Sequence, residues 1–529
     1  MLSVSNMSLK FKTRTLFDNV NLKFENGNCY GLIGANGAGK STFLKILTGE
    51  IEPTTGTISI GKDERISFLK QDHYAYNEFT VLETVIMGNS KLYSIIKEKE
   101  ELYSKSDFTE KDGIRAGDLE AEFEELNGWQ AESDAAILLS GIGIDNSLHY
   151  KLMSELTGPE KVKVLLAQAL FGEPNILLLD EPTNDLDIDA KMWLEEFLIN
   201  FPNTVIVVSH DRHFLNKVCT HIVDIDYEKI TQFVGNYDFW YESSQLMLKQ
   251  VKDSNKKKED KIKELQDFIR RFSANASKSR QATSRKKILD KIVLEELKPS
   301  TRKYPFINFK INRPTGNSIL EIEKLNYLDE TGNNLLKNFN LTVFQDDKIA
   351  FIGNELAITA LFEILNDRKD LTSGTIKWGQ TIEKEYFPKN NEEYFVEDVN
   401  LIEWLRNYSN DKTESFIRGF LGRMLFSGDE VLKSVKVLSG GEKARCIFSK
   451  MMINGCNFIT LDDPTNHLDI ETITSLNNEM TSFKGNILFS SHDHELLNTV
   501  ANRIIEIHED GTYTDKMCNY DEYISIKNQ

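Results

Sequence analysis

The chain of 529 residues has few cysteines and no long apolar run. No stretch approaches the roughly 18 apolar residues of a membrane-spanning helix, and the N-terminus lacks the basic and apolar regions of a signal peptide. The cysteines have neither paired nor metal-binding spacing, so we expect reduced thiols in a cytoplasmic protein. They are Cys29, Cys219, Cys446, Cys456 and Cys518.

The chain carries two copies of one set of motifs. A constant offset of 282 positions over three motifs indicates a duplicated domain. The length leaves room for about three domains at roughly 150 residues each. The pairs are Leu156–Glu160 with Leu438–Glu442, Asp180 with Asp462, and His210 with His492.

The first copy contains an insertion. Gly353 follows Gly34 by 319 positions, so 37 extra residues lie between the first two motifs of the first copy. We place them at about residues 92–130, where isolated apolar residues stand among many charges, and predict an inserted helical arm. A merely longer helical subdomain is the alternative. The apolar residues are Ile95, Leu102, Leu119, Phe123 and Leu126.

The first copy contains a complete phosphate-binding loop. Its glycines allow backbone N–H groups to surround the phosphates of ATP at a helix N-terminus, while Lys40 neutralises their charge. Phe11 precedes the loop by 23 residues, where an aromatic side chain can stack on adenine; inward packing in a strand is the alternative. The predicted loop contacts are Gly34, Ala35, Asn36, Gly37, Ala38, Gly39, Lys40, Ser41 and Thr42.

Hydrolysis needs a metal ion and an activated water. Ser41 and Asp180 are predicted ligands of Mg²⁺, because an apolar strand ends at Asp180. Glu181, the next residue, can polarise the attacking water. Gln71 would contact the metal and the water from the side opposite Asp180 and Glu181. His210 can reach the γ-phosphate. Lys40, Glu181 and His210 are therefore the predicted catalytic residues.

The second copy has lost much of this chemistry. Alignment of residues 361–365 with 43–47 puts Ile358 at the position of Lys40 and Thr359 at that of Ser41. Lys389 stands where the glutamine is expected, and Asp463 replaces the glutamate with a side chain one methylene shorter. Gly353, Asp462 and His492 remain.

Residues 236–298 contain neither Gly nor Pro, which permits a long helix. Ile262, Leu265 and Ile269 recur at helical spacing. We predict a helix from about Ser243 to Ser273, about 45 Å long, and a return helix after a turn near residue 275.

This segment is basic in an acidic chain. Residues 249–303 contain 18 Lys and Arg against 8 Asp and Glu, whereas the chain carries −19. A basic projecting hairpin indicates contact with a phosphate backbone; a solvated helix face is the alternative. The predicted RNA contacts are Arg270, Arg271, Lys278, Arg280, Arg285, Lys286 and Lys287.

Both halves resemble ABC ATPase domains, and the resemblance covers nearly the whole chain. Two fused copies with a long linker resemble the ABC-F family of translation-associated ATPases. Residues 272–285, FSANASKSRQATSR, are similar to the linker tip of its YbiT-like subgroup. The implied fold is α/β: two tandem ABC-type P-loop ATPase domains joined by a helical hairpin linker, with the arm inserted in the first. The implied domains are 1–242, the linker 243–304, and 305–529.

In ABC proteins each ATP lies between the P-loop of one domain and the signature of the other. By this resemblance the intact first P-loop faces Ser439, Gly440 and Gly441. The altered second P-loop faces Thr157, Gly158 and Pro159, and Pro159 has no N–H to offer a phosphate. Every departure from the ABC motifs therefore falls in the site that contains the second P-loop. We expect one hydrolytic site and one degenerate site that either binds nucleotide statically or is filled by side chains.

The resemblance implies a cytoplasmic, ribosome-associated ATPase that binds near the E site. Its implied partners are large-subunit rRNA and P-site tRNA, and its two ATPase domains would pair within one monomer, without membrane contact. The linker would reach toward the peptidyl transferase centre. An antibiotic-resistance protein that protects ribosomes shares every motif. A transporter ATPase would have no role for the basic hairpin, and a DNA-repair or chromosome ATPase would usually carry much longer coiled coils or zinc-binding cysteines.

Overall fold

The computed structural model divides by its contacts into two compact units. Unit 1 comprises Met1–Pro182, Trp193–Ser209 and Phe214–Thr301, and unit 2 comprises Thr183–Met192, His210–His213 and Arg302–Gln529. Within the part of the chain that is described, no helix has the length and apolar character that a membrane crossing requires. The described residues are 1–11, 14–62, 64–69, 75–184, 186–272, 284, 287, 302–329, 332–466 and 468–527.

Unit 1 contains two sheets. Its strands are β1 (Leu2–Phe11), β2 (Arg14–Phe24), β3 (Cys29–Gly34), β4 (Thr55–Ser59), β5 (Ile66–Phe68), β6 (Ile176–Asp180), β7 (Thr204–Val208), β8 (His221–Asp226) and β9 (Lys229–Val234). A six-stranded sheet has the order β5-β6-β7-β3-β8-β9, and an antiparallel sheet has the order β2-β1-β4. Among the described strands of the larger sheet, β9 alone runs antiparallel to its neighbour.

Nine described helices accompany these strands in the first 272 residues. They are α1 (Lys40–Leu47), α2 (Val81–Ile86), α3 (Ser90–Tyr103), α4 (Glu110–Glu125), α5 (Ala131–Gly141), α6 (Gly158–Leu170), α7 (Ile188–Ile199), α8 (Arg212–Val218) and α9 (Tyr237–Phe272).

Unit 2 repeats the same topology. Its strands are β10 (Leu320–Leu328), β11 (Asn334–Val343), β12 (Lys348–Gly353), β13 (Ser373–Trp378), β14 (Lys384–Phe387), β15 (Phe458–Asp462), β16 (Asn486–Ser490), β17 (Arg503–Ile507) and β18 (Tyr513–Lys516). The sheet orders are β14-β15-β16-β12-β17-β18 and β11-β10-β13. Its helices are α10 (Glu355–Leu365), α11 (Leu401–Asn407), α12 (Glu414–Arg423), α13 (Gly440–Asn454), α14 (Ile470–Ser482), α15 (His494–Val500) and α16 (Tyr520–Lys527).

The central strands are continuous apolar runs. Every residue of β3, β6 and β7 is buried, as is every residue of β15. Such runs suit parallel strands whose two faces are both covered. Because β7 alone separates β6 from β3, the loops that follow β6 and β3 emerge at the same edge of the sheet.

The predicted arm is confirmed as a pair of helices. The hydrogen bonds of Arg115 to Glu98 join α4 to α3, with Nε 2.7 Å from Oε1. Lys99 lies over the ring of Phe123, 3.9 Å from its centroid. In unit 2, α11 and α12 follow each other directly, without an inserted pair.

The linker helix α9 is one helix of 36 residues, about 54 Å long at 1.5 Å per residue. It begins at Tyr237, six residues before the predicted start, because Asn236 caps it by accepting a hydrogen bond from the N–H of Phe239 at 3.1 Å. Trp240 is buried in this first turn. The predicted turn and return helix lie outside the described residues.

Two of the five cysteines meet in space. The Sγ atoms of Cys29 and Cys219 are 3.9 Å apart, and both thiols are free and buried. The sequence shows no pairing because 190 positions separate them. The contact arises because β3 and β8 are neighbours in the sheet.

Candidate functional site

The loop between β3 and α1 has the backbone of a phosphate-binding loop. Gly37 and Gly39 have φ of 75° and 104°, in the left-handed region that favours glycine. A Cβ on Gly34 would lie 2.8 Å from the carbonyl oxygen of Ile225. The Nζ of Lys40 donates to the carbonyl oxygen of Gly34 at 2.8 Å, so the ammonium group folds back over the loop.

Two predicted magnesium ligands lie side by side. The hydroxyl of Ser41, in the first turn of α1, donates to the carboxylate of Asp180 at the end of β6. Burial raises the pKa of Asp180, although this hydrogen bond and the charge of Lys40 act against the rise. A hydroxyl and a carboxylate oxygen beside a phosphate loop form a donor set that suits Mg²⁺.

Glu181 has a left-handed backbone with φ of 51°. Its N–H donates to the carbonyl oxygen of Val208 at 2.9 Å, which attaches the residue to the end of β7. Such a conformation is rare outside glycine and marks a position where the backbone directs a side chain. The same holds for Asp463 in unit 2, with φ of 47° and its N–H bonded to the Oγ of Ser490 at 3.0 Å.

The other residues predicted for this site are placed as follows. Gln71 lies outside the described residues. Phe11 ends β1, and only its backbone is described. His210 follows β7 by two residues and belongs to unit 2. Ala38 closes a turn on Ala35, its N–H donating to the carbonyl oxygen at 3.0 Å.

The corresponding loop of unit 2 is replaced by helix. Helix α10 begins at Glu355, two residues after Gly353, whereas α1 begins six residues after Gly34. Asn354 caps α10 by accepting a hydrogen bond from the N–H of Ala357 at 3.1 Å. From Asn354 to Asn366 no residue has positive φ. The backbone curvature that surrounds a phosphate is therefore absent here.

Thr359 and Asp462 of unit 2 keep the hydrogen bond that their counterparts make in unit 1. Thr359 hydrogen-bonds Asp462 as Ser41 does Asp180, which supports the alignment of the two helices. Ile358, at the lysine position, is 3% exposed and packs in the apolar core of unit 2. Burial raises the pKa of Asp462 to about 6.

Sequence reasoning missed Glu355, which lies at the centre of this region. Its carboxylate bridges two side chains: Oε2 is 2.5 Å from the Nζ of Lys389, and Oε1 is 2.9 Å from the Nε2 of His492. The hydrogen bond to His492 and the contact with Lys389 lower the pKa of Glu355 to about 2, against the opposing effect of burial. The signal in the sequence was a carboxylate inside a loop that ought to bind phosphate.

Both signature motifs begin a helix in the same way. The Oγ1 of Thr157 donates to Glu160 at 2.8 Å ahead of α6, and the Oγ of Ser439 donates to Glu442 at 2.9 Å ahead of α13. Pro159 lies in the first turn of α6, where a missing N–H costs no helical hydrogen bond. The structural role of the motif therefore survives in both copies.

Most predicted RNA contacts lie at or beyond the end of α9. The side chain of Arg270 is 79% exposed, with Nη2 2.8 Å from the Oδ1 of Asp267. Arg271 belongs to α9 with only its backbone described, and Lys287 is exposed. The remaining four lie outside the described residues: Lys278, Arg280, Arg285 and Lys286.

Comparison with known proteins gives consistent results. The family model described as ABC transporter matches residues 17–184 and 336–466, and an extension model with the same description matches 223–309. The chain is 61% identical to the ABC transporter ATP-binding protein YkpA of Bacillus subtilis, over 99% of this chain and 97% of that protein. It is 45% identical to the probable ATP-binding protein YbiT of Escherichia coli O157:H7, over 100% and 99%.

Among solved structures, an archaeal ribosome recycling factor, aABCE1, in complex with the ribosomal stalk protein aP1 has a TM-score of 0.63. The match covers 99% of this chain and 92% of that one at 16% identity, so it concerns the fold. The repeated motifs, the duplicated topology and the matches over full length agree. The chain belongs to the ABC-F type of ABC ATP-binding proteins, with the YbiT-like proteins among its relatives.

Proposed function

We propose that this protein is an ATP-hydrolysing, ribosome-associated translation factor with one hydrolytic site. The observation that carries the ribosome part of the proposal is the charge of the linker. Residues 249–303 have a net charge of +10 in a chain of −19, which leaves −29 elsewhere. A basic segment of this size in an acidic protein favours contact with a nucleic acid backbone over nonspecific attraction of the whole surface.

The hydrolytic site combines the first P-loop with the second signature. Lys40 and the loop amides hold the phosphates, while Ser41 and Asp180 would hold Mg²⁺, which would supply positive charge for the β- and γ-phosphates. Glu181 orients and deprotonates the water that attacks the γ-phosphorus, and the bond from that phosphorus to the β-phosphate oxygen breaks. His210 and the signature residues Ser439, Gly440 and Gly441 stabilise the charge that develops on the γ-phosphate.

ATP draws the two domains together, and the closed form is the one that fits the E site. Hydrolysis then opens the pair and releases the protein. In this arrangement α9 and the segment beyond it extend toward P-site tRNA and the peptidyl transferase centre. The basic side chains supply phosphate contacts and make binding dependent on salt.

The decisive experiment is sedimentation of the Glu181→Gln protein with ribosomes in ATP. The amide keeps the size of the side chain but does not accept a proton, so ATP stays intact and the closed form accumulates in the ribosome fraction. Lys40→Ala, in which ATP binding is impaired, is the control and should stay in the supernatant. If Glu181→Gln also stays there with ATP, the proposal is wrong.

A second arm tests the linker itself. Changing Arg270, Arg271, Lys278 and Arg280 to Gln should weaken ribosome binding and reduce its salt dependence by about one unit of slope per lost phosphate contact. ATP binding to the free protein should persist, because the changes lie away from the P-loop in sequence. An unchanged salt slope would show that the linker is a solvated spacer.

A further inference from the structure

Three segments of unit 2 meet at the carboxylate of Glu355. The first is the start of α10, the second is the loop after β14 that carries Lys389, and the third is the loop after β16 that carries His492. Their counterparts in the first copy are the P-loop, the glutamine segment and the His210 segment. In an intact site, those three segments are expected to approach one γ-phosphate.

Each oxygen of the Glu355 carboxylate contacts a different side chain. Oε2 contacts the lysine at 2.5 Å and Oε1 contacts the histidine at 2.9 Å, so one anion connects both loops. Glu355 is also the first residue of α10, an 11-residue helix. The N–H groups of a first helical turn favour a negative charge at this end. The carboxylate therefore makes contacts with a lysine and a histidine that a bound phosphate group could make, and it does so at a helix end that favours negative charge.

The surroundings oppose an added triphosphate. The cavity here has a volume of about 360 Å³, and its lining from residues 302–529 includes five carboxylates and two lysines. One of those lysines, Lys389, is already paired, and the P-loop lysine is replaced by the buried Ile358. The Oδ2 of Asp462 is buried without a hydrogen-bond partner. The carboxylates are Glu355, Asp462, Asp463, Glu506 and Glu509.

We propose that Glu355 is a built-in anionic ligand of the second site, which occupies the place of the γ-phosphate and keeps that site free of nucleotide. Lys389 and His492 then form a latent oxyanion site that the chain fills with its own carboxylate. Of the two states expected from the sequence, a site filled by side chains is the one this geometry favours. The proposal rests on the one-site mechanism above, but not on the ribosome as partner.

The first test counts nucleotides on the full chain. In the Glu181→Gln background, equilibrium dialysis with labelled ATP should give about one nucleotide per chain, and adding Lys40→Ala should abolish most of this binding. Two nucleotides per chain, or one that persists after Lys40→Ala, would overturn the proposal. Neither outcome depends on ribosome sedimentation, so this failure is distinguishable from failure of the proposed function.

The second test empties the latent site. Glu355→Ala should create a site for inorganic phosphate, so that phosphate raises its melting temperature by about 3 °C more than that of the parent. Glu509→Ala is the matched control, because it removes a carboxylate of the same cavity that bonds Asn354 rather than Lys389 and His492. An equal effect of phosphate on both variants would show that Glu355 holds no oxyanion site.

Discussion

The loops after β3 and β12 occupy equivalent places in two sheets of the same strand order, yet their backbones differ. The first curves through two left-handed glycines before its helix, while the second enters its helix almost at once. The strands, the Thr359–Asp462 hydrogen bond and the left-handed Asp463 are all retained in the second copy. The fold is thus retained where the backbone of the phosphate-binding loop is not, because sheet packing depends on many apolar residues and the loop on a few glycines.

The largest expected difference lies between Glu181→Gln and Asp463→Asn. The first should lower steady-state phosphate release by about 10²- to 10⁴-fold, the range of general acid–base catalysis, while the second should leave it near that of the parent. The two residues share a left-handed backbone, so each substitution makes the same change in the same conformation. Comparable losses would mean that both sites hydrolyse ATP.

Lys40→Ala and Ile358→Ala should separate activity from stability. Lys40→Ala removes the cation of the first P-loop and should cost about 10²- to 10³-fold in turnover. Ile358→Ala should spare turnover but lower the free energy of unfolding by about 2–5 kcal/mol, because it opens a cavity in the core of unit 2. Phosphate release and denaturant unfolding of both variants provide the measurements. A tenfold loss of turnover in a folded Ile358→Ala variant would contradict the expectation that the second loop is not needed for hydrolysis.

The two signature residues provide a matched pair. Ser439→Ala should lower turnover by about 10²-fold, because the proposed hydrolytic site includes this hydroxyl, while Thr157→Ala should not. Each change also removes a hydroxyl that donates to the glutamate three residues later, at 2.8 Å for Thr157 and 2.9 Å for Ser439, so both should lose about 1 kcal/mol of stability. The difference between their phosphate-release rates then reports chemistry alone. Equal losses of turnover would place both signatures in working sites.

The smallest expected effect concerns Glu355 and pH. Its pKa is lowered to about 2 from 4.5, so its bridge stabilises the fold above about pH 4.5 and is lost as the pH falls through about 2. On acidification, the melting temperature of the parent should therefore fall further than that of Glu355→Gln. The side chain is 47% exposed, so solvent screening keeps the difference small. Identical pH profiles would mean that the bridge contributes nothing measurable.

Much of the fold was predictable because it is repeated. The offset of 282 positions predicted two domains, and the 37 extra residues predicted the arm that α3 and α4 form. Helix α9 began earlier than predicted because Asn236, a capping residue ahead of Tyr237, was not recognised as its start. The contact between Cys29 and Cys219 was not predictable from spacing, since it depends on which strands are neighbours.

The sequence by itself determined which chemical groups each copy owns: a lysine and a glutamate in the first, an isoleucine and an aspartate in the second. Only the tertiary structure decided what takes the place of the missing groups. Glu355, Lys389 and His492 are distant in the chain and meet because β12, β15, β16 and β14 belong to one sheet. Charge pairing acts over a few ångströms, and strand order, not residue spacing, brings these groups within that distance.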